Sequence, residues 1–277
     1  DTINPVPIIR TLSQPYGAKD WWPCKQTLND KIDSIDVFIS HPSEYRAVSN
    51  GMLMNENTGD SITLTHWKHR YPIVTYLIAF AVTDYTDFSV YVPLQGGDSL
   101  RVQNYVFSES LADAQANVPF VIPVFEFYNE QFMTYPFINE QYGHCQIVRK
   151  GGMEHQTMSF MGSFNSVLIA HEGAHQWFGN FITCGSWQDI WLNEGFATYL
   201  SLLVEEFVNN GDYFRPFLEL YRNHAMEEPD GSVYVYDTTE VSRVFDGRLS
   251  YRKACLVLHI LRWQTGDSLF FTAIRNY

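Results

Sequence analysis

The sequence predicts an α+β chain, with strands filling the first part and helices the second. Three observations predict it. Apolar residues alternate with period two before Gly96-Gly97-Asp98. Apolar residues recur at helical spacing after Ser166. Clusters of Gly, Asn, Asp and Ser separate the alternating runs at short intervals.

In chain order, Ile35–Ile39, Ser61–Thr65 and Phe88–Val92 alternate and are expected to be strands, with turns at Ser49-Asn50-Gly51, Thr58-Gly59-Asp60 and Gln95-Gly96-Gly97-Asp98. Together they form a β-rich layer, part of a sandwich, and Gly96-Gly97-Asp98 is the candidate domain boundary. Ile73–Val82 is an apolar run interrupted by Thr75, too short to span a membrane and expected as a buried strand. One more strand follows at Leu100–Phe107. A helix over Ala112–Tyr128 is weakened by Pro119 and Pro123. Ser166–Phe178 predicts an amphipathic helix with Asn165 or Ser163 as N-cap and Gly179-Asn180 as its stop. Ile190–Val208 predicts another, with Phe196, Leu200, Leu203 and Phe207 on one face, and Tyr251–Trp263 a third.

The 277 residues can hold one large domain or two smaller ones, and 20 Phe with 17 Tyr supply ample core, which excludes wholesale disorder. A formal charge of −13 with no basic stripe excludes a nucleic-acid partner and is read as a contribution to solubility. No membrane span is expected. The chain opens at Asp1 without an initiator Met or a signal peptide and is expected to be a mature or excised piece. Cys24, Cys145, Cys184 and Cys255 are widely spaced; free buried thiols are expected, with one or two disulfides as the alternative.

The chemistry centres on His171-Glu172-Gly173-Ala174-His175. Histidines four apart on a helix share a face, so their imidazoles can converge on one ion. Glu172 lies about a hundred degrees round the helix from His171, placed to reach a metal-bound water rather than the metal. Nineteen positions beyond His175, Glu194 sits in the next predicted helix among apolar neighbours, where a lone ionised carboxylate is costly unless paired or metal-bound. Two His and one Glu leave a fourth position for water, the pattern of a catalytic zinc site. His171, His175 and Glu194 are therefore expected to bind one Zn2+ per chain, with Glu172 as general base.

HExxH, eighteen residues, then Asn193-Glu194-Gly195 resembles the aminopeptidase N family of gluzincins. Gly151-Gly152-Met153-Glu154-His155 resembles that family's exopeptidase motif, and Ser250-Tyr251-Arg252-Lys253 its Tyr-x-Lys-Gly segment. Trp21-Trp22-Pro23-Cys24 and Tyr71–Phe80 resemble the end of its N-terminal β domain. The resemblance implies the C-terminal part of a β-sandwich domain at residues 1–98. A thermolysin-like zinc peptidase domain, helical with a small β-sheet, would follow at 99–277 and be truncated at its C-terminus. It implies that Glu154 binds the free α-amino group of a peptide substrate. Gly151, Gly152 and Met153 would lie along the substrate, and Tyr251 would donate a hydrogen bond to the oxyanion. His155 stands where the family usually has Asn, a form similar to bacterial relatives, and Ala254 where it usually has Gly.

The activity implied is hydrolysis of the N-terminal peptide bond of peptides with a free N-terminus; a zinc endopeptidase or an inactive zinc-containing peptide-binding module are the alternatives. The full-length protein would carry further N- and C-terminal domains. The acidic, Trp-containing composition and the resemblance to exported bacterial members point to a periplasmic or secreted location, with a cytoplasmic one as the alternative.

Overall fold

The structure, a computed structural model, describes residues 6–277; Asp1, at the start of the expected β domain, lies outside the described residues. The chain is α+β and divides into two compact units. The first runs to Ile122 and adds Phe137–Leu168; the second joins Pro123–Pro136 to Ile169–Tyr277.

The first unit holds three sheets. Strands β1 (Ile9–Arg10), β2 (Ile35–Pro42), β3 (Arg46–Ser49), β4 (Met52–Thr58), β5 (Ile62–His69) and β6 (Phe80–Thr83) form two of them, in the orders β1-β6-β3 and β2-β5-β4. In β5 the alternation holds, but the buried face is that of Thr63, Thr65 and Trp67, while Ile62 and Leu64 point to solvent. Trp67 has the largest side chain and sets the register, donating its indole N–H to the Ala47 carbonyl at 3.1 Å. The apolar run at 73–82 is buried as expected, yet only its end is a strand. Thr75–Leu77 forms a 3-10 turn closed by Leu77 N–H to Val74 O at 3.1 Å. A continuous apolar run carries no alternation, so burial alone does not distinguish strand from buried turn.

The third sheet has five strands: β7 (Thr86–Pro93), β8 (Ser99–Val106), β9 (Tyr142–Gln146), β10 (Gly152–Met153) and β11 (Ser159–Met161), in the order β10-β11-β9-β8-β7. Gly96 and Gly97, at φ +95° and +93°, make the turn of the β7–β8 hairpin, whose register runs unbroken from Thr86↔Val106 to Pro93↔Ser99. The boundary expected at residue 98 therefore falls inside a hairpin, and the compact units part elsewhere. Two glycines in left-handed conformations suit a hairpin turn as well as a linker, which is why composition misled there.

The helix expected over 112–128 is split. Helix α1 (Leu111–Asn117) stops before Pro119, a 3-10 turn covers Val118–Phe120, and α2 (Val121–Gln131) resumes with Pro123 in its first turn, where no N–H is required.

Besides α2, which enters it at Pro123, the helices of the second unit are α3 (Ser166–Ala174, entered from the first unit), α4 (Ile190–Phe207), α5 (Phe214–Ala225), α6 (Val241–Val244), α7 (Ala254–Thr265) and α8 (Asp267–Asn276). A π-helical turn, Gly247–Lys253, leads into α7. An aromatic cluster anchors the end of α3: Trp177 meets Phe125, Tyr128 and Tyr135 edge-on at centroid distances of 5.3, 5.5 and 5.8 Å. Tyr128 donates to the Ala170 carbonyl at 3.0 Å, and Trp177 to the Met133 carbonyl at 2.9 Å. All four cysteines are free thiols, three of them buried. Among the described residues no helix is long and apolar enough to cross a membrane.

Candidate metal centre

Helix α3 starts as the sequence suggests, with Asn165 Oδ1 accepting from the Leu168 N–H at 3.0 Å. It ends earlier than expected, at Ala174, although the His175 N–H still reaches the His171 carbonyl at 3.3 Å. The early end has a use. The chain turns back through Trp177 and Phe178, so that the Phe178 carbonyl sits 3.0 Å from His175 Nδ1. A carbonyl can only accept, so Nδ1 carries the proton and Nε2 presents a lone pair. Gly179, at φ +131°, makes this turn; a Cβ there would lie 2.9 Å from His175 Nδ1. Phe178 stacks on Phe196 of α4, with centroids 4.5 Å apart, and Asn193 Oδ1 accepts from the Cys184 N–H at 3.1 Å. These contacts tie the returning loop to the helix that carries Glu194.

His171, His175 and Glu194 converge. His171 Nε2 and His175 Nε2 are 3.1 Å apart, and Glu194 Oε2 lies 3.5 Å from the first and 3.3 Å from the second. A tetrahedral zinc with bonds of about 2.0–2.2 Å sets its donors about 3.3–3.6 Å apart, so the three atoms already outline one face of such a site. Burial holds the His171 imidazole toward its neutral form, aided by His175 and opposed by Glu194. Burial also works against the Glu194 carboxylate, but the two imidazoles outweigh it and hold the carboxyl below the usual carboxylate range. All three side chains are at least four-fifths buried, and a divalent cation bound there would require neutral imidazoles and an ionised carboxylate.

Two further expected residues flank this triangle in the same unit. Glu172 is buried on α3, with a carboxylate oxygen within 4.8 Å of a ring nitrogen of His175. Tyr251 lies in the π-helical turn, its ring nearly parallel to that of His171 at 6.1 Å between centroids. The turn is capped by Asp246, whose carboxylate accepts from the N–H groups of Arg248 and Leu249 at 2.8 Å each. Behind Glu194, Gly195 packs against Ala254, and a Cβ on Gly195 would lie 2.6 Å from the Ala254 Cβ. Sequence reasoning missed Gly179, Phe178 and Trp177; the only available signal was Gly179 as a helix stop.

The exopeptidase-like segment lies in the first unit. Gly151 has φ +77° with open space where a Cβ would stand, and Gly152-Met153 pairs with Phe160-Met161 across β10 and β11. Met153 and Glu154 are buried, and the Tyr76 hydroxyl donates to Glu154 Oε1 at 3.4 Å. His155 is packed edge-on against Phe160, 4.4 Å between centroids, and burial lowers its pKa to about 3.

Residues 159–277 match the Peptidase family M1 domain. Over these residues the chain is similar to peptidase family M1. It is 30% identical to human glutamyl aminopeptidase over 279 residues, covering 92% of the chain and 28% of that protein. Human endoplasmic reticulum aminopeptidase 1 is 25% identical over 291 residues, 96% of the chain and 30% of that protein. Among solved structures, an M1 zinc metallopeptidase mutant from Deinococcus radiodurans bound to a Tyr-Ser-Ala substrate superposes with a TM-score of 0.84. It is 23% identical and covers 98% of this chain and 61% of that one, a likeness that shows the fold. The chain thus spans less than a third of the curated relatives it matches. The Deinococcus radiodurans protein is a zinc metallopeptidase, and the donor set described above fits zinc.

Proposed function

We propose that this chain is the zinc-bearing part of an aminopeptidase that cleaves the N-terminal peptide bond of peptides with a free N-terminus. The observation that carries the proposal is the triangle of His171, His175 and Glu194, with donors 3.1–3.5 Å apart. When bound, zinc supplies a Lewis acid that polarises the scissile carbonyl and lowers the pKa of a water molecule. Glu172 takes the proton of the attacking water on a carboxylate oxygen and returns it to the departing amide nitrogen. Tyr251 donates its phenolic hydrogen to the carbonyl oxygen as negative charge gathers there. The Glu154 carboxylate pairs with the substrate's α-ammonium group and so measures distance from the N-terminus, while Gly151, Gly152 and Met153 offer backbone to the peptide.

In family terms, we infer a gluzincin with a thermolysin-like catalytic domain, preceded by the end of a β-sandwich domain. For location we propose export to the periplasm or the exterior, which fractionation of the source cells tests.

The function is tested on the full-length protein by metal analysis together with aminoacyl-anilides and their N-acetylated counterparts. One zinc per chain and cleavage of the free-amine substrates alone are expected. Equal turnover of both sets would make the protein an endopeptidase, and zinc without turnover of either would make it a peptide-binding module.

A further inference from the structure

The turn Asn50-Gly51, between β3 and β4, does more than reverse the chain. Asn50 is 1% exposed, and its amide serves three backbone groups. Nδ2 donates to the Leu77 carbonyl at 3.0 Å and to the Gln156 carbonyl at 2.7 Å, and Oδ1 accepts from the Ala79 N–H at 2.9 Å. One of these groups belongs to Leu77, the last residue of the 3-10 turn that carries Tyr76, a second lies two residues beyond it, and the third lies two residues after Glu154. One buried amide therefore fastens together the segments that bear the phenol and the carboxylate.

The neighbouring contacts reinforce this. The Gly51 N–H donates to Thr157 Oγ1 at 2.8 Å, and that hydroxyl donates to the Gln156 carbonyl at 2.6 Å. Gly51 has φ +83°, and a Cβ there would meet the Lys68 carbonyl oxygen at 2.1 Å, so only glycine fits. Thr157 has φ +67°, an unfavourable conformation for a β-branched residue that persists only where its surroundings enforce it. Tyr76, 2% exposed, completes the arrangement with its hydroxyl on Glu154 Oε1.

We propose that Tyr76 and Asn50 are positioning residues for Glu154. Tyr76 orients the carboxylate through its hydroxyl, and Asn50 holds the two segments in register so that the hydroxyl meets it. The proposal rests on the reading of Glu154 as the partner of the substrate's ammonium group. A glutamate with three rotatable bonds loses much freedom on binding a cation unless that freedom has already been removed. The geometry that Tyr76 and Asn50 enforce removes it beforehand, so its loss weakens ammonium binding more than it slows chemistry.

The test uses the full-length protein, with Tyr76→Phe, Glu154→Gln and the double variant, assayed on an aminoacyl-anilide and its N-acetylated counterpart. For Tyr76→Phe, KM for the free-amine substrate should rise about tenfold, as expected for one lost hydrogen bond to a charged group, with a smaller change in kcat. Zinc content and thermal midpoint should stay at wild-type values. In the Glu154→Gln background, Tyr76→Phe should have no further effect. Asn50→Ala should raise KM in the same way where it folds, and Tyr76→Phe decides the matter where it does not. If Glu154→Gln abolishes the preference for free amines while Tyr76→Phe leaves KM unchanged, or if the two effects multiply, the positioning role is overturned and the reading of Glu154 stands. If Glu154→Gln leaves the preference intact, that reading fails and takes the proposal with it.

Discussion

Both units of this chain bury histidines, and the two sets behave differently. In the first unit, His69 accepts at Nε2 from the Gln156 amide at 2.8 Å, His144 Nδ1 faces Asn104 Oδ1 at 2.7 Å, and His155 rests on a phenyl ring. Burial lowers the pKa of all three to about 3, so they are packed as neutral rings. In the second unit, His171 and His175 aim their Nε2 atoms at each other and at the Glu194 carboxylate. The buried carboxylates differ in the same way. Glu140 is answered by the Arg70 guanidinium at 3.2 Å and by the Arg70 N–H at 2.9 Å, whereas Glu194 is answered by two imidazoles. Burial does not make a histidine a ligand. Convergence of two imidazoles on one buried carboxylate sets His171 and His175 apart, an arrangement that a bound cation would favour.

The strongest way to break this comparison is Glu194→Ala. It should abolish stoichiometric zinc and take activity with it, by roughly three orders of magnitude or more, read by metal analysis and kcat/KM. Retention of zinc would mean that the two histidines suffice and that the carboxylate is ordinary. Glu172→Gln separates holding the metal from using it: zinc should remain at one per chain while kcat falls roughly 10^2–10^4-fold.

Gly195→Ala places a methyl against Ala254 and should cost about 1–3 kcal/mol, lowering zinc affinity as α4 shifts. Adding Ala254→Gly should restore both stability and zinc, and failure of that rescue would show the contact to be incidental. The smallest effect concerns the core histidines. The folded pKa of His155 lies near 3 against an ordinary 6.5, so below about 6.5 the unfolded chain takes a proton that the native chain does not. Its contribution to stability is thus full above pH 6.5 and is lost progressively as pH falls toward 3. His155→Asn should make the loss of stability between pH 7.5 and 5.5 smaller by about 1.4 kcal/mol, measured as the shift in urea-derived stability between the two values. An unchanged acid limb would mean that His155 is charged in the native state.

The convergence of His171, His175 and Glu194 was legible in the sequence because its geometry is largely local. His171 and His175 share a face through helix spacing, and the apolar setting of Glu194 signals a carboxylate in need of a partner. The strands at Ile35, Phe88 and Leu100 were legible through alternation, and α4 through its apolar stripe. The buried face of β5 and the 3-10 turn at Thr75 were not, since period and composition are each shared by competing structures. The short strands β10 and β11 carry too few residues to show any period.

The sequence by itself determined the candidate metal donors, the proposed base beside them and the helices that carry them, because these depend on residue type and on spacing within single elements. Only the tertiary structure decided which nitrogen of His175 faces Glu194, which neighbour forbids a side chain at Gly195, and how Asn50 and Tyr76 hold the loop of Glu154. Those contacts join residues far apart in the chain, and no local pattern encodes a hydrogen bond whose partners meet only after folding.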